Sequence, residues 1–148
     1  GDYYNYIRHG GKWEEFCTNL EEIKKIKSHK VSFNMLWCIL NHKEVFRCVD
    51  YLQGMGFHNN SFVIGPLYDP KYLNVLNLPQ DKINEVRDIL EERIILKPGF
   101  LLEDSYTNLL RYLDTPFRKD LEGSFAELHK LDQRRKLDSR SIFTELYD

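Results

Sequence analysis

The chain has 148 residues, of which 42% are hydrophobic, 14% aromatic and 30% charged, and it balances 21 Lys and Arg against 23 Asp and Glu. This is the composition of a folded globular domain, and the even charge argues against a nucleic-acid surface, because phosphate binding needs clustered cations. No apolar run approaches the roughly 20 residues that span a bilayer, and Cys17, Cys38 and Cys48 are too few and scattered for a disulfide framework, which points to a reducing, cytoplasmic setting.

The sequence opens on Gly1-Asp2-Tyr3-Tyr4, which reads as the middle of a longer protein. From Trp13 the apolar residues Trp13, Phe16, Cys17, Leu20, Ile23 and Ile26 recur at helical spacing, predicting an amphipathic helix that Ser28-His29 breaks. Lys30 to Leu40 (KVSFNMLWCIL) reads as a strand, with Val31, Phe33, Met35 and Trp37 on one face and Ser32, Asn34, Leu36 and Cys38 on the other. A run this apolar on both faces suits a buried parallel strand. Asn41 with Glu44 three residues later has the form of a capping box for a helix carrying Val45, Phe46, Val49 and Leu52 and ending near Gly54 to Gly56.

Ser61 to Leu67 (SFVIGPL) reads as a second strand, closed by Gly65-Pro66 and the turn-like Tyr68-Asp69-Pro70. Pro79 and Asp81 open a helix marked by Ile83, Val86, Leu90 and Ile94, and Lys97-Pro98-Gly99 stops it. The remainder reads as three helical pieces, about 102–113, 119–136 and 141–147. Strands alternating with amphipathic helices predict parallel βαβ units. Two strands are too few for an independent parallel sheet, so the expected fold is α/β, the C-terminal part of a partial (β/α) TIM-like barrel. Residues 1–97 would supply its last βα units, and residues 98–148 a helical C-terminal tail.

In such architectures ligands gather at the C-terminal ends of the strands, here Leu36 to His42 and Gly65 to Asp69. Ser32 and Asn34 are polar residues within an apolar strand. If the larger apolar set faces the helices, they face the barrel interior, where the amide is either satisfied by a neighbouring strand or lines a ligand cavity. Cys38 and His42, four apart, have no further metal ligand nearby, and packing is their simpler reading. Cys17 and Cys48 read as small core residues. Arg8 could pair a ligand carboxylate or merely a surface acid, and His9-Gly10-Gly11 could offer backbone N–H groups to an anion. Asp132-Gln133-Arg134-Arg135 with Asp138-Ser139-Arg140 reads as a solvated helical face and cap. No nucleophile elbow and no Walker or dinucleotide glycine pattern is present.

The run Tyr4-x-Tyr6-Ile7-Arg8-x-Gly10-x-Lys12-Trp13-Glu14-x-Phe16, then Asn19-Leu20, HKVSFNMLWCILNH and Gly56-Phe57, resembles the latter half of radical S-adenosylmethionine enzymes. The likeness is to the group with a twitch or SPASM-type C-terminal region, phage and environmental bacterial members included. The closing Leu131-Asp132-Gln133-Arg134-Arg135 and Ile142-Phe143-x-Glu145-Leu146 resemble the tail of the same proteins. The family's Cys-x-x-x-Cys-x-x-Cys, which holds a four-iron, four-sulfur cluster, is not in this sequence, and the three cysteines match no auxiliary-cluster pattern. The resemblance implies a parent enzyme that reductively cleaves S-adenosylmethionine to a 5′-deoxyadenosyl radical, with the cluster ligands upstream and this chain inactive alone. A flavodoxin- or ferredoxin-type reductant and a small-molecule or peptide substrate are implied with it. Arg8, Thr18 and Asn19 would then reach the methionine carboxylate or ribose, while Asn34, Leu36, Leu67 and Tyr68 would line the adenosine or substrate space, with no metal ligand contributed. Two other readings stay open: a non-catalytic α/β interaction domain, and a fragment of another TIM-barrel enzyme.

Overall fold

The computed structural model describes residues 1–26 and 30–148, so the Ser28-His29 break lies outside the described residues. The chain divides into two compact units, residues 1–30 with 125–148 (the terminal unit) and residues 31–124 (the strand unit). Among the described residues the order is α1 (Asp2–Ile7), α2 (Trp13–Lys24), β1 (Phe33–Trp37), α3 (Glu44–Gly54), β2 (Phe62–Pro66), α4 (Gln80–Ile95), α5 (Phe100–Tyr112), α6 (Leu121–Arg135), α7 (Ser139–Ile142) and α8 (Thr144–Tyr147), with short 3₁₀ turns at Ile39–Asn41, Asn59–Ser61, Lys71–Leu73 and Val75–Asn77. None of these helices is long and apolar enough to cross a membrane.

The strand unit is built on a parallel pair, with Phe33 opposite Phe62 and Trp37 opposite Pro66. Alternation sends Phe33, Trp37, Phe62 and Ile64 into the core, where Phe33 stacks on Phe62 at 5.1 Å between ring centroids and meets Phe57 edge-on at 4.9 Å. Trp37 is wholly buried and its indole N–H donates to the His42 carbonyl at 3.0 Å. Helix α3 contributes Val45, Phe46, Val49 and Leu52, α4 Ile83, Val86 and Leu90, and α5 Leu102, Tyr106 and Leu109. Arg93 fastens three helices: it forks onto Asp50 at 2.6 and 2.8 Å, donates to the Tyr106 hydroxyl and lies over the Phe46 and Tyr106 rings. The Asp50 hydrogen bond holds its proton above the ordinary arginine range, outweighing the opposing effect of burial.

This arrangement corrects the expected partial TIM-like barrel. The chain is mostly helical, and its one sheet, among the described residues, has two strands. A barrel needs a strand at every edge, but the outer edge of β2 is occupied by a helix: the Ile64 N–H, turned away from β1, donates to Ser105 Oγ of α5 at 3.1 Å. Pro66, next along that edge, has no N–H to pair. The strand expected over Lys30 to Leu40 is five residues long, because Cys38 leads into a 3₁₀ turn. The capping box at Asn41 is also corrected. Its Oδ1 accepts from the Cys38 N–H at 2.8 Å and its Nδ2 donates to the Leu36 carbonyl at 2.7 Å, so the amide seals the exit of β1 instead of the start of α3.

The terminal unit is held differently. Tyr4, Trp13 and Phe16 form an aromatic cluster with centroids 5.2 to 5.5 Å apart, and the Asn5 side chain accepts from the Trp13 N–H at 2.9 Å. Gly10, at φ +87°, turns the chain between the first two helices. Phe125 stacks on Tyr147, and Phe143 meets both Tyr3 and Tyr6 edge-on.

Candidate functional site

The open face of the strand pair is built by strand geometry. With Phe33, Trp37, Phe62 and Ile64 buried, period two turns Asn34 and Leu36 of β1 and Val63 of β2 outward, and Leu36 is 58% exposed. An apolar surface with one carboxamide at its edge therefore lies uncovered within this unit. The expectation that β1 is buried on both faces fails here, since nothing among the described residues of this unit covers the second one.

Leu67 and Tyr68 follow directly from the C-terminal end of β2. The Leu67 N–H donates to the Trp37 carbonyl at 2.8 Å, extending the ladder one residue past the strand. Tyr68 is exposed, and its ring meets Tyr112 edge-on at 5.5 Å. The loop beyond is fixed by two buried asparagines. Asn74 donates to the Tyr112 hydroxyl at 2.6 Å and accepts from the Leu76 N–H, while Asn77 donates to the Lys71 carbonyl and accepts from the Asp120 N–H at 2.9 Å. Sequence reading passed over both. The Asn-x-x-Asn spacing in an otherwise apolar VLNL context was the available signal, because a polar side chain there must find a partner.

The structure thus gathers Asn34 and Leu36 on one face and sets Leu67 and Tyr68 at the C-terminal end of the adjoining strand. Arg8, Thr18 and Asn19 belong to the terminal unit. Arg8 is exposed at the C-terminal end of α1, Thr18 donates to the Glu14 carbonyl at 2.9 Å, and Asn19 is exposed beside it on α2. The Gly11 N–H, considered for an anion, donates to the Arg8 carbonyl at 2.7 Å. Cys38 is buried, and burial pushes its thiol up to about 11, which keeps it protonated and unreactive. Cys17 and Cys48 are half-buried.

A second constellation corrects the solvated-face reading of the Asp132 run. Asp132 is buried and accepts three hydrogen bonds: from the Tyr6 hydroxyl at 2.7 Å, from Ser139 Oγ at 2.7 Å and from the Ser139 N–H at 3.0 Å. Ser139 Oγ also shares a hydrogen bond with the Tyr147 hydroxyl at 2.6 Å. Burial above all, then the Asp132 carboxylate, raises the Tyr6 phenol well beyond its ordinary range, and burial raises Tyr147 as well. The rest of the run stands as expected: Gln133, Arg134, Asp138 and Arg140 are exposed, and Asp138 caps by accepting from the Arg140 N–H at 3.1 Å. With three of its roughly four acceptor sites taken by its own fold, the carboxylate acts as a fastener.

For a bound S-adenosylmethionine, the residues of the open face fit in kind. A carboxamide can pair the edge of a purine, and Leu36, Val63 and Tyr68 offer apolar and aromatic area. For a metal cluster they do not: among the described residues no group of three or more His, Cys, Asp or Glu could hold a metal ion. No protein-family model, no curated protein and no solved structure matches this chain.

Proposed function

We propose that this chain supplies one wall of the S-adenosylmethionine and substrate site of an enzyme that resembles the radical S-adenosylmethionine family. The observation that supports the reading is the uncovered parallel-strand face carrying Asn34, Leu36 and Val63, with Leu67 and Tyr68 at its C-terminal end. Asn34 would donate to and accept from the adenine edge, Leu36 and Val63 would exclude water from the ring faces, and Tyr68 would close the site from the strand end. Bound S-adenosylmethionine would supply the radical chemistry that the resemblance implies, with the residues of this face binding and orienting it. Among the described residues no group of three or more His, Cys, Asp or Glu could hold that family's cluster. The reading carries with it a cytoplasmic setting, a flavodoxin- or ferredoxin-type reductant and the rest of a parent chain.

The test is an amide-resolved titration of the chain with S-adenosylmethionine. Shifts centred on Asn34, Leu36, Val63, Leu67 and Tyr68, lost in Asn34→Leu at an unchanged melting temperature, support the proposal. Shifts elsewhere, or a variant that binds as well, reject it.

One observation favours a second reading, an interaction domain without chemistry. Because the Trp37 carbonyl faces β2, the backbone groups of Asn34 and Leu36 turn to the other edge of β1. The Leu36 carbonyl there is taken by Asn41, and β1 has no second strand neighbour among the described residues. An edge of this kind pairs with an extended segment of a partner. Protection of the Asn34 and Leu36 amides from hydrogen exchange by an added peptide, with no response to S-adenosylmethionine, would select this reading.

A further inference from the structure

At the opposite end of β2 from Tyr68, the strand unit presents a second apolar surface with a different character. Helix α4 ends and α5 begins in a tight corner, where Ile95 is 77% exposed and Leu96 and Phe100 are each 71% exposed. Three large apolar side chains this exposed within six residues stand out against the scattered single ones of an ordinary surface. The corner is turned by two residues of positive φ. Lys97 has φ +49° and Gly99 φ +100°, and a side chain on Gly99 would meet Asn59 and Asn60 at 3.4 Å, just before β2 begins.

Helical spacing sets the charge around them. Glu91 and Glu92 lie four and three residues before Ile95, and Asp104 lies four after Phe100, so each shares a face with the apolar group. All three are exposed, and among the described residues none forms an ion pair or side-chain hydrogen bond. Half-buried Glu103 adds to them, Lys97 is the one cation in the corner, and Arg93 nearby is committed to Asp50.

We infer that the α4–α5 corner is a docking surface for a basic amphipathic segment of a partner protein. Its apolar side chains cover Ile95, Leu96 and Phe100 while its lysines or arginines meet Glu91, Glu92 and Asp104. The charge selects this occupant over the others. A second copy would bring the same excess of carboxylates to both sides of the contact. An anionic membrane or a nucleic acid would meet the same repulsion. The surface shares no residue with the proposed cofactor wall, so either proposal can fail without the other.

The experiment uses the 148-residue chain and a fluorescein-labelled peptide of leucine and lysine, with leucines at helical spacing, read by anisotropy. Its comparators are the same composition scrambled, a leucine–glutamate peptide, and phosphatidylcholine vesicles containing phosphatidylserine. The amphipathic basic peptide is expected to bind about tenfold or more tightly than either peptide comparator, with vesicles unbound. The triple variant Ile95→Ser, Leu96→Ser, Phe100→Ser and the pair Glu91→Lys, Glu92→Lys are each expected to weaken it by about tenfold, and the pair also to flatten its salt dependence. Circular dichroism checks that these exposed substitutions leave the fold intact, and the wild-type comparison stands without them. Equal binding of the scrambled peptide, full binding by the serine variant, preference for vesicles, or no peptide binding at all would each overturn the proposal.

Discussion

The two units of this chain differ in the charge they bury: the strand unit's buried polar groups are neutral amides, hydroxyls and an imidazole, whereas the terminal unit buries a carboxylate. The strand unit buries Trp37, Phe46, Phe62 and the leucines of three helices, and its stability grows with the apolar area removed from water. The terminal unit also buries Tyr6, Leu20 and Phe143, but at its centre it places a carboxylate with three donors and two tyrosines. Damage should follow different rules in each. An apolar core loses stability in proportion to the volume removed, whereas a saturated polar cluster loses it per partner left unmatched.

The largest expected effect tests the first rule. Trp37→Ala should cost about 3–5 kcal/mol, because it empties a wholly buried site and also strips the His42 carbonyl of its donor. Urea unfolding followed by far-ultraviolet circular dichroism measures it, and a loss below about 1 kcal/mol would mean that the strand unit is not packed as described. Next is Asp132→Ala, expected to cost about 3 kcal/mol by leaving the Tyr6 hydroxyl and two Ser139 donors unmatched. Tyr6→Phe should cost less, about 1–2 kcal/mol, and the double variant should cost clearly less than the two losses added, since both delete one contact. Simple additivity in that cycle would dissolve the distinction between the units.

Alkali gives a third way to separate them. Cys38 has its pKa raised by burial from 9.0 to about 11, so the folded state holds its proton more tightly than the unfolded chain does. The stability this represents is fully present below pH 9 and falls as pH rises toward 11, by about 2–3 kcal/mol in total. Tyr6 acts with the same sign but only above its ordinary value of 10.0, so the strand unit should weaken first. Melting temperatures at closely spaced pH values should decline from about pH 9 in the parent, and from a higher pH in Cys38→Ala, measured against that variant's own neutral value. The smallest effect is expected at Leu36→Ser on the open face, within about 0.5 kcal/mol by the same urea assay. A larger loss would show that the face is covered.

What could be read from sequence follows from the range of the forces involved. The phase of β1 was legible because side chains alternate: buried Phe33 and Trp37 and outward Asn34 and Leu36 follow from one another. The helices over Val45–Leu52 and Ile83–Leu90 were legible because their apolar positions repeat within a few turns. The barrel was over-read because strand count fixes a sheet only when each edge finds a strand, and Ser105, 41 residues past Ile64, took that place. Asn41 was misassigned since two local partners competed for it, and the carbonyl ending β1 prevailed over the start of α3. Asp132 was lost among charged neighbours because one of its partners, Tyr6, lies 126 residues away. Of the proposed site, the outward pair on β1 and the end of β2 were legible. The asparagines that brace the following loop were not, as their partners Tyr112 and Asp120 belong to later elements.

The bond between Tyr6 and Asp132 spans 126 positions of sequence. Closing so long a loop carries an entropy cost that must be met before the contact returns anything, so the bond is expected to form after more local contacts. Interactions absent from the folding transition state leave the folding rate alone and act on the reverse step. The Tyr6–Asp132–Ser139 cluster is therefore a brake on opening. Disrupting it should shorten the lifetime of the folded terminal unit while the speed of reaching it stays nearly constant, and a chevron of Tyr6→Phe should move only on its unfolding arm.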